Sequence, residues 1–152
     1  FLTVLQFCID MAQCVLELRR LLADDARAIF VIGRESKVRG IPFANGQLLA
    51  LTATATGALT LERWQERKFV NRFGSMIFED ILTFAPLEGT VEDFVSLGRE
   101  AGVLALIHAL PKASGNIQRD IRDALDAAES IQPSPILSVA TQPNAFARAT
   151  TI

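Results

Sequence analysis

The side chains best suited to bind a ligand in this chain are basic, and they are concentrated in its middle third. Residues 34–74 carry seven basic and three acidic side chains, a balance of +4. Residues 1–33 carry three basic and four acidic side chains (−1), and residues 75–152 carry five and ten (−5). Guanidinium and ammonium groups are the usual protein contacts to nucleic-acid phosphates. The charge distribution therefore favours a nucleic-acid-binding surface in the middle of the chain.

Two groups of residues in this basic stretch are candidate nucleic-acid contacts. In the segment RESKVRGIPFANG (residues 34–46), an aromatic ring and an amide accompany three cations, and such groups can stack on and hydrogen-bond to an extruded base. The second group flanks a predicted hairpin, where basic residues alternate with an aromatic. The candidates are Arg34, Lys37, Arg39, Phe43, Asn45, Arg67, Lys68 and Arg72.

A structural role is the alternative for each candidate. The cations of the first group would pair with nearby carboxylates in a solvated loop, and those of the second would discourage edge-to-edge pairing of an exposed strand. Phe43 would anchor its segment to the core, and Asn45 would cap the helix that follows. The residue types leave both alternatives open. For Phe43 and Asn45 they favour the structural one, and for Arg72 they favour a role in shaping the predicted turn.

Other kinds of site have little support in the residue types. His108 is the only histidine, and Cys8 and Cys14 lie six apart in one helical pattern, so neither a zinc site nor a disulfide is expected. We expect both cysteines to be buried free thiols in a cytoplasmic protein, and His108 to lie in the core or at its boundary. Glu79 and Asp80 are adjacent, so on a strand they point to opposite faces and cannot act as a paired acid and base.

In the first half of the chain, hydrophobic periodicity predicts the elements that position the first group. Helical spacing of apolar residues predicts a helix over residues 3–23. The run ARAIFVIG, ending at Gly33, is typical of a central parallel strand that is covered on both faces. Glycine and proline in residues 34–46 predict a loop, and a short helix is predicted over residues 45–56, with Gly57 as its stop.

The second half is predicted to begin with two strands and to continue with two helices. LTLERWQERKF and SMIFEDILTF are the strands, and VNRFG between them is short enough to join antiparallel neighbours. A helix begins after Thr90 as N-cap, with Asp93 three residues later, and a break at residues 111–115 separates it from an amphipathic helix over residues 116–131. Residues 138–152 have no period and are predicted to be a flexible tail.

This order of elements is similar to the closing half of the class I S-adenosylmethionine-dependent methyltransferase fold. RRLLADDARAIFVIGRES resembles the helix and turn that lead into the fifth strand of that fold, and ERKFVNRFGSMIFEDILTF resembles its sixth and seventh strands. With VRGIPFANG, the likeness is closest to bacterial DNA methyltransferases. The resemblance covers residues 1–86 and implies an α/β fold with a partial Rossmann-like sheet that ends in an antiparallel hairpin. The two predicted C-terminal helices, over residues 87–137, form a helical appendage outside the resemblance.

The resemblance also implies a cofactor, a partner and a reaction. The cofactor would be S-adenosylmethionine, the partner DNA, and the reaction methyl transfer to an exocyclic amino group of adenine or cytosine. The family's glycine-rich turn and its Pro-Pro-aromatic motif do not occur in this chain. We therefore assign no catalytic residue and expect both motifs in an N-terminal half of the domain upstream of Phe1.

Two alternatives remain open from the sequence. One is a non-enzymatic nucleic-acid-binding or interaction module, and the other is a small-molecule methyltransferase of the same fold whose basic loop is simply solvated. A membrane-spanning segment is not expected, because no stretch reaches about 18 uninterrupted apolar residues.

Overall fold

A computed structural model of the chain describes residues 1–89 and 93–135. The chain is mixed α/β, as predicted, with one three-stranded antiparallel sheet, one two-stranded hairpin and four α-helices among these residues. The elements are α1 (Leu2–Leu21), β1 (Ala28–Gly33), β2 (Glu35–Val38), β3 (Ile41–Ala44), α2 (Asn45–Ala55), β4 (Leu59–Val70), β5 (Met76–Pro86), α3 (Phe94–Ala109) and α4 (Gly115–Asp126), with 3-10 turns at Leu110–Lys112 and Ala128–Ser130.

The larger sheet has the strand order β1–β5–β4, and β5 is antiparallel to both of its neighbours. β4 and β5 pair along their whole lengths, with a bulge between Leu61 and Arg63, so the predicted hairpin is confirmed. β1 pairs only with residues 79–84 of β5. The last strand in the chain therefore lies in the middle of the sheet, and the outer half of the β4–β5 hairpin extends past the carboxyl end of β1.

Helices cover one face of this sheet, and the described residues leave the other face open. On the covered face, the ring of Phe30 meets that of Phe84 edge-on at 5.7 Å between centroids, and both pack with buried residues of α1 and α2. On the other face, Ile29 and Val31 are exposed. The prediction that β1 is a parallel strand covered on both faces was therefore wrong for the described residues. An unbroken apolar run favours burial of both faces of a strand, but it does not specify which other elements would pack on those faces.

A second core joins α1 to α3 and α4. Gly98 and Gly102 of α3 face α1, and a Cβ at Gly98 would lie only 2.7 Å from the Cα of Ile9. Glycine at these positions lets the two helices approach closely. The apolar face predicted for the last helix is confirmed, with Ile121 and Ala128 buried against this core.

The helical half begins with a cap at Asp93, whose carboxylate accepts a hydrogen bond from the Ser96 amide at 2.9 Å. That bond lowers the pKa of Asp93. The predicted cap Thr90 and the predicted tail 138–152 lie outside the described residues. Among those described, Phe94–Lys112 is the one stretch long and apolar enough to span a membrane, with a mean hydropathy of 1.2. It includes Arg99, so it is not an uninterrupted apolar run.

Candidate nucleic-acid interface

Residues 35–44 form the β2–β3 hairpin, where a loop was predicted over residues 34–46. Val38 pairs with Ile41, and the two-residue turn between them places Arg39 at φ 51° and Gly40 at φ 84°. Positive φ at both central residues is typical of a type I′ hairpin turn. The loop prediction treated Gly40 and Pro42 as breakers, whereas the glycine is required by the turn and proline is tolerated in an edge strand.

Arg34 lies between β1 and β2 and is held by two carboxylates. Its Nη2 lies 3.1 Å from Oε2 of Glu66, and its Nε lies 3.4 Å from Oδ1 of Asp80. The guanidinium also lies 5.4 Å from the ring centroid of Phe78. Asp80 is only 3% exposed, and a buried carboxylate requires a compensating charge or hydrogen bonds. Moving Arg34 to another partner would therefore leave the buried Asp80 carboxylate without its compensating charge.

The amino end of α2 abuts the same buried carboxylate. A Cβ at Gly46 would lie 2.6 Å from Oδ2 of Asp80 and 2.7 Å from Cζ2 of Trp64. A helix amino end carries partial positive charge, so it adds to the stabilisation of the Asp80 carboxylate by Arg34. Glu79 points to the opposite face, where its Oε2 accepts a hydrogen bond from Nε of Arg67 at 2.9 Å. The two carboxylates thus lie on opposite faces of β5, as predicted.

Lys37 and Arg39 are more loosely held than Arg34. Nζ of Lys37 lies 3.9 Å from Oε1 of Glu35, and Arg39 pairs with Asp120 of α4. Both cations are exposed, although Asp120 is half-buried. The Lys37–Glu35 pair is exposed on both sides, and such pairs contribute only about 0–1 kcal/mol to stability. A phosphate can replace such a partner at little cost.

Phe43 and Asn45 take structural roles. Phe43 is 5% exposed and packs 6.3 Å from the ring of Phe1, so it anchors the hairpin to the core and is not open to a base in this conformation. Asn45 is the first residue of α2, whereas the sequence predicted it to be the N-cap of that helix. The cap prediction was therefore wrong. Its Nδ2 donates to the carbonyl of Gly33 at 2.7 Å and to Oγ of Ser36 at 2.9 Å. It thereby ties the end of β1 to β2.

The β4–β5 hairpin presents the other predicted cations. Arg67 is paired with Glu79, whereas Lys68 and Arg72 have no salt bridge within residues 1–89 and 93–135. The residues that sequence reasoning missed are the exposed apolar side chains beside these cations. They are Phe69, Val70, Phe73, Met76 and Phe78. The sequence signal that could have identified them is the presence of apolar residues in and around the predicted turn, where polar residues are usual.

Two thiols and one imidazole lie apart from the basic groups. Cys8 is buried as predicted, and burial raises the pKa of its thiol to about 11. Cys14 is exposed, contrary to prediction, and lines an apolar groove of about 570 Å³ along α1. His108 is exposed beside a groove of about 310 Å³ between α2 and α3, so the core prediction was wrong. No cluster of three or more potential metal ligands occurs in the part of the chain that the structure describes.

Comparisons with models of known protein families, with characterised proteins and with solved structures gave no match to this chain.

Proposed function

We propose that this chain is part of a DNA methyltransferase, which transfers a methyl group from S-adenosylmethionine to an exocyclic amino group of adenine or cytosine. The position of the last strand carries the proposal: β5 lies between β1 and β4 and is antiparallel to both. β1 and β4 are consequently parallel to each other, and α2 lies on the connection between them. The methyltransferase fold that the sequence resembles likewise inserts its last strand antiparallel into an otherwise parallel sheet.

The open side of β1 supports a sheet that continues beyond these three strands. Among the described residues, no strand pairs with the second edge of β1, and Ile29 and Val31 expose apolar surface on the uncovered face. A parallel neighbour and a covering helix would bury both side chains. In the proposal, another segment supplies that neighbour together with the cofactor-binding and catalytic motifs, and S-adenosylmethionine is bound there.

The basic residues lie at the end of the sheet where α/β proteins bind ligands. The β2–β3 hairpin begins at the carboxyl end of β1, and the outer half of the β4–β5 hairpin extends past that same end. Because Arg34 neutralises Asp80, the cations most available to phosphates are Lys37, Arg39, Lys68 and Arg72. We propose that these four contact the DNA backbone.

A salt titration of duplex-DNA binding tests the DNA contacts. Each lost phosphate contact should reduce the slope of log affinity against log salt by about 0.9, so Lys37→Ala/Arg39→Ala should lower it by about 2. The control Arg119→Ala/Arg122→Ala removes the same charge from the exposed side of α4, where neither residue forms a described salt bridge. Equal slopes for the two double variants would contradict the assignment.

Methyl transfer is tested separately on the intact protein. DNA incubated with S-adenosylmethionine should gain N6-methyladenine or N4-methylcytosine, detected by mass spectrometry of the digested nucleosides. DNA binding without methylation would favour the second candidate, a non-enzymatic nucleic-acid-binding module. The exposed cations and aromatics of the β4–β5 hairpin support that candidate, because they need no cofactor to bind nucleic acid.

A further inference from the structure

The outer part of the β4–β5 hairpin, residues 68–78, is a two-stranded ribbon that has no third strand beside it. We call this segment the ribbon tip. β1 pairs with β5 only from residue 79 onward, so the ribbon tip extends beyond the sheet. It contains two basic side chains, Lys68 and Arg72, and no acidic one. A projecting element with a charge of +2 is electrostatically suited to a polyanion.

Apolar side chains are exposed on both faces of the ribbon tip and at its apex. Phe69 pairs with Ile77 on one face, and Phe78 pairs with Lys68 on the other, because opposed residues of antiparallel strands share a face. Phe73 in the turn is 76% exposed. Apolar exposure on both faces indicates an element that is inserted into its partner and not laid flat on it. The major groove of B-DNA, about 12 Å wide, admits such a two-stranded ribbon.

The turn holds Phe73 in a defined position. Oδ1 of Asn71 accepts hydrogen bonds from the amides of Phe73 at 2.9 Å and Ser75 at 3.0 Å. Gly74 adopts φ +80° and donates its amide to the carbonyl of Asn71 at 3.0 Å. A turn whose backbone is held in this way loses little backbone freedom on binding.

Each described cation–π contact of the molecule involves an aromatic ring of the ribbon tip. Arg67 lies 5.0 Å from the ring centroid of Phe69, and Arg72 lies 4.6 Å from that of Phe73. The third contact joins Arg34 to Phe78. The Arg72 guanidinium lies over the Phe73 ring, and Phe73 is 76% exposed. A base can stack on the exposed ring while the guanidinium contacts an adjacent phosphate.

We propose that the ribbon tip binds nucleic acid by stacking Phe73 on an unstacked base, with Lys68 and Arg72 on the flanking phosphates. This inference rests on the nucleic-acid partner of the proposed function and not on methyl transfer. A lipid surface would also accept aromatic and basic side chains, but the guanidinium-backed ring and the rigid turn favour a flat, stackable ligand.

The test uses the full chain and a DNA duplex with one 2-aminopurine at an unpaired position. Phe73→Ala should weaken binding about 5- to 100-fold and abolish the 2-aminopurine fluorescence change on binding, whereas Phe73→Trp should retain both. Ile107→Ala removes an exposed apolar side chain from α3 and should change neither readout. Thermal unfolding of each variant verifies that the fold is unchanged.

The remaining outcomes separate this inference from the proposed function. If Phe73→Ala binds like the wild-type chain while Lys37→Ala/Arg39→Ala lowers the salt slope, the stacking proposal fails and the proposed function stands. If Phe73→Ala lowers affinity but no methylated base forms, stacking stands without the methyltransferase. If the wild-type chain binds vesicles of anionic phospholipid but not the duplex, and Phe73→Ala abolishes that binding, the partner is a membrane and the stacking proposal is overturned.

Discussion

Replacing Gly98 by alanine is expected to push α3 away from α1 and to destabilise the fold. A Cβ at this position would lie 2.7 Å from the Cα of Ile9 and 2.8 Å from the carbonyl oxygen of Cys8. Ordinary contact begins at 3.4 Å, so the shortfall is 3.4 − 2.7, or about 0.7 Å. Both atoms belong to the backbone of α1, so no side-chain rotation relieves the clash and the helices must separate.

The magnitude follows from two opposing effects. Alanine gains about 1 kcal/mol over glycine in helix propensity. Overpacking a core costs about 1–3 kcal/mol, and backbone contact favours the upper end of that range. The net loss is therefore about 2 kcal/mol, which lowers the Tm of a domain of this size by about 4–8 °C.

Thermal unfolding followed by circular dichroism measures this change, with Gly33→Ala as the matched control. Gly33 lies on β1 and has no neighbouring atom within 4 Å of the site of an added Cβ, so its variant should match or slightly exceed the wild-type Tm. A Gly98→Ala variant that unfolds at or above the wild-type temperature would refute close helix packing at this position.

Three further predictions concern other parts of the molecule. Since burial raises the pKa of Cys8 to about 11, iodoacetamide at pH 8 should modify exposed Cys14 first, and tandem mass spectrometry showing the reverse order would contradict the structure. Burial raises the pKa of Asp10, but hydrogen bonds, chiefly from Ser134, outweigh it and leave that pKa below 3.8. The stability that these hydrogen bonds contribute is present above pH 3.8 and is lost as the pH falls through the folded-state pKa. The hydrogen-exchange protection factor of the Ser134 amide should therefore fall below pH 3.8 in the wild-type chain. The Asp10→Asn variant should show no such step. Arg99 donates to two backbone carbonyls at 2.9 and 3.1 Å, so Arg99→Met should lower the free energy of unfolding by about 1–3 kcal/mol in urea, and an unchanged midpoint would mean that these bonds contribute nothing.

The elements predicted correctly are those specified by residues close together in the chain. The helical period of residues 3–23 becomes α1, and Gly57, at φ 67°, follows the end of α2 as predicted. The connection of the β4–β5 hairpin, residues 71–75, falls at the predicted VNRFG turn, whose Val70 ends β4. Periodicity and turn residues act within a few positions, so the sequence by itself determines these elements.

The β2–β3 hairpin and the surroundings of β1 were decided by tertiary structure. Residues 34–46 contain the breakers of a loop, yet the root of the hairpin is tied to β1 through Asn45. β1 has the composition of a fully covered strand, yet its pairing with β5 joins residues about fifty positions apart. Such pairings depend on partners that local patterns do not identify.

The candidate site divides in the same way. The sequence by itself determined where the basic charge is concentrated, because charge is a property of residue type. Only the tertiary structure decided which cations remain available: Arg34 is engaged by Asp80, 46 positions away, while Arg72 remains exposed. It also decided that Phe43 is buried and that Phe73 is exposed at the apex of a rigid turn, because the burial of an aromatic ring depends on what packs against it.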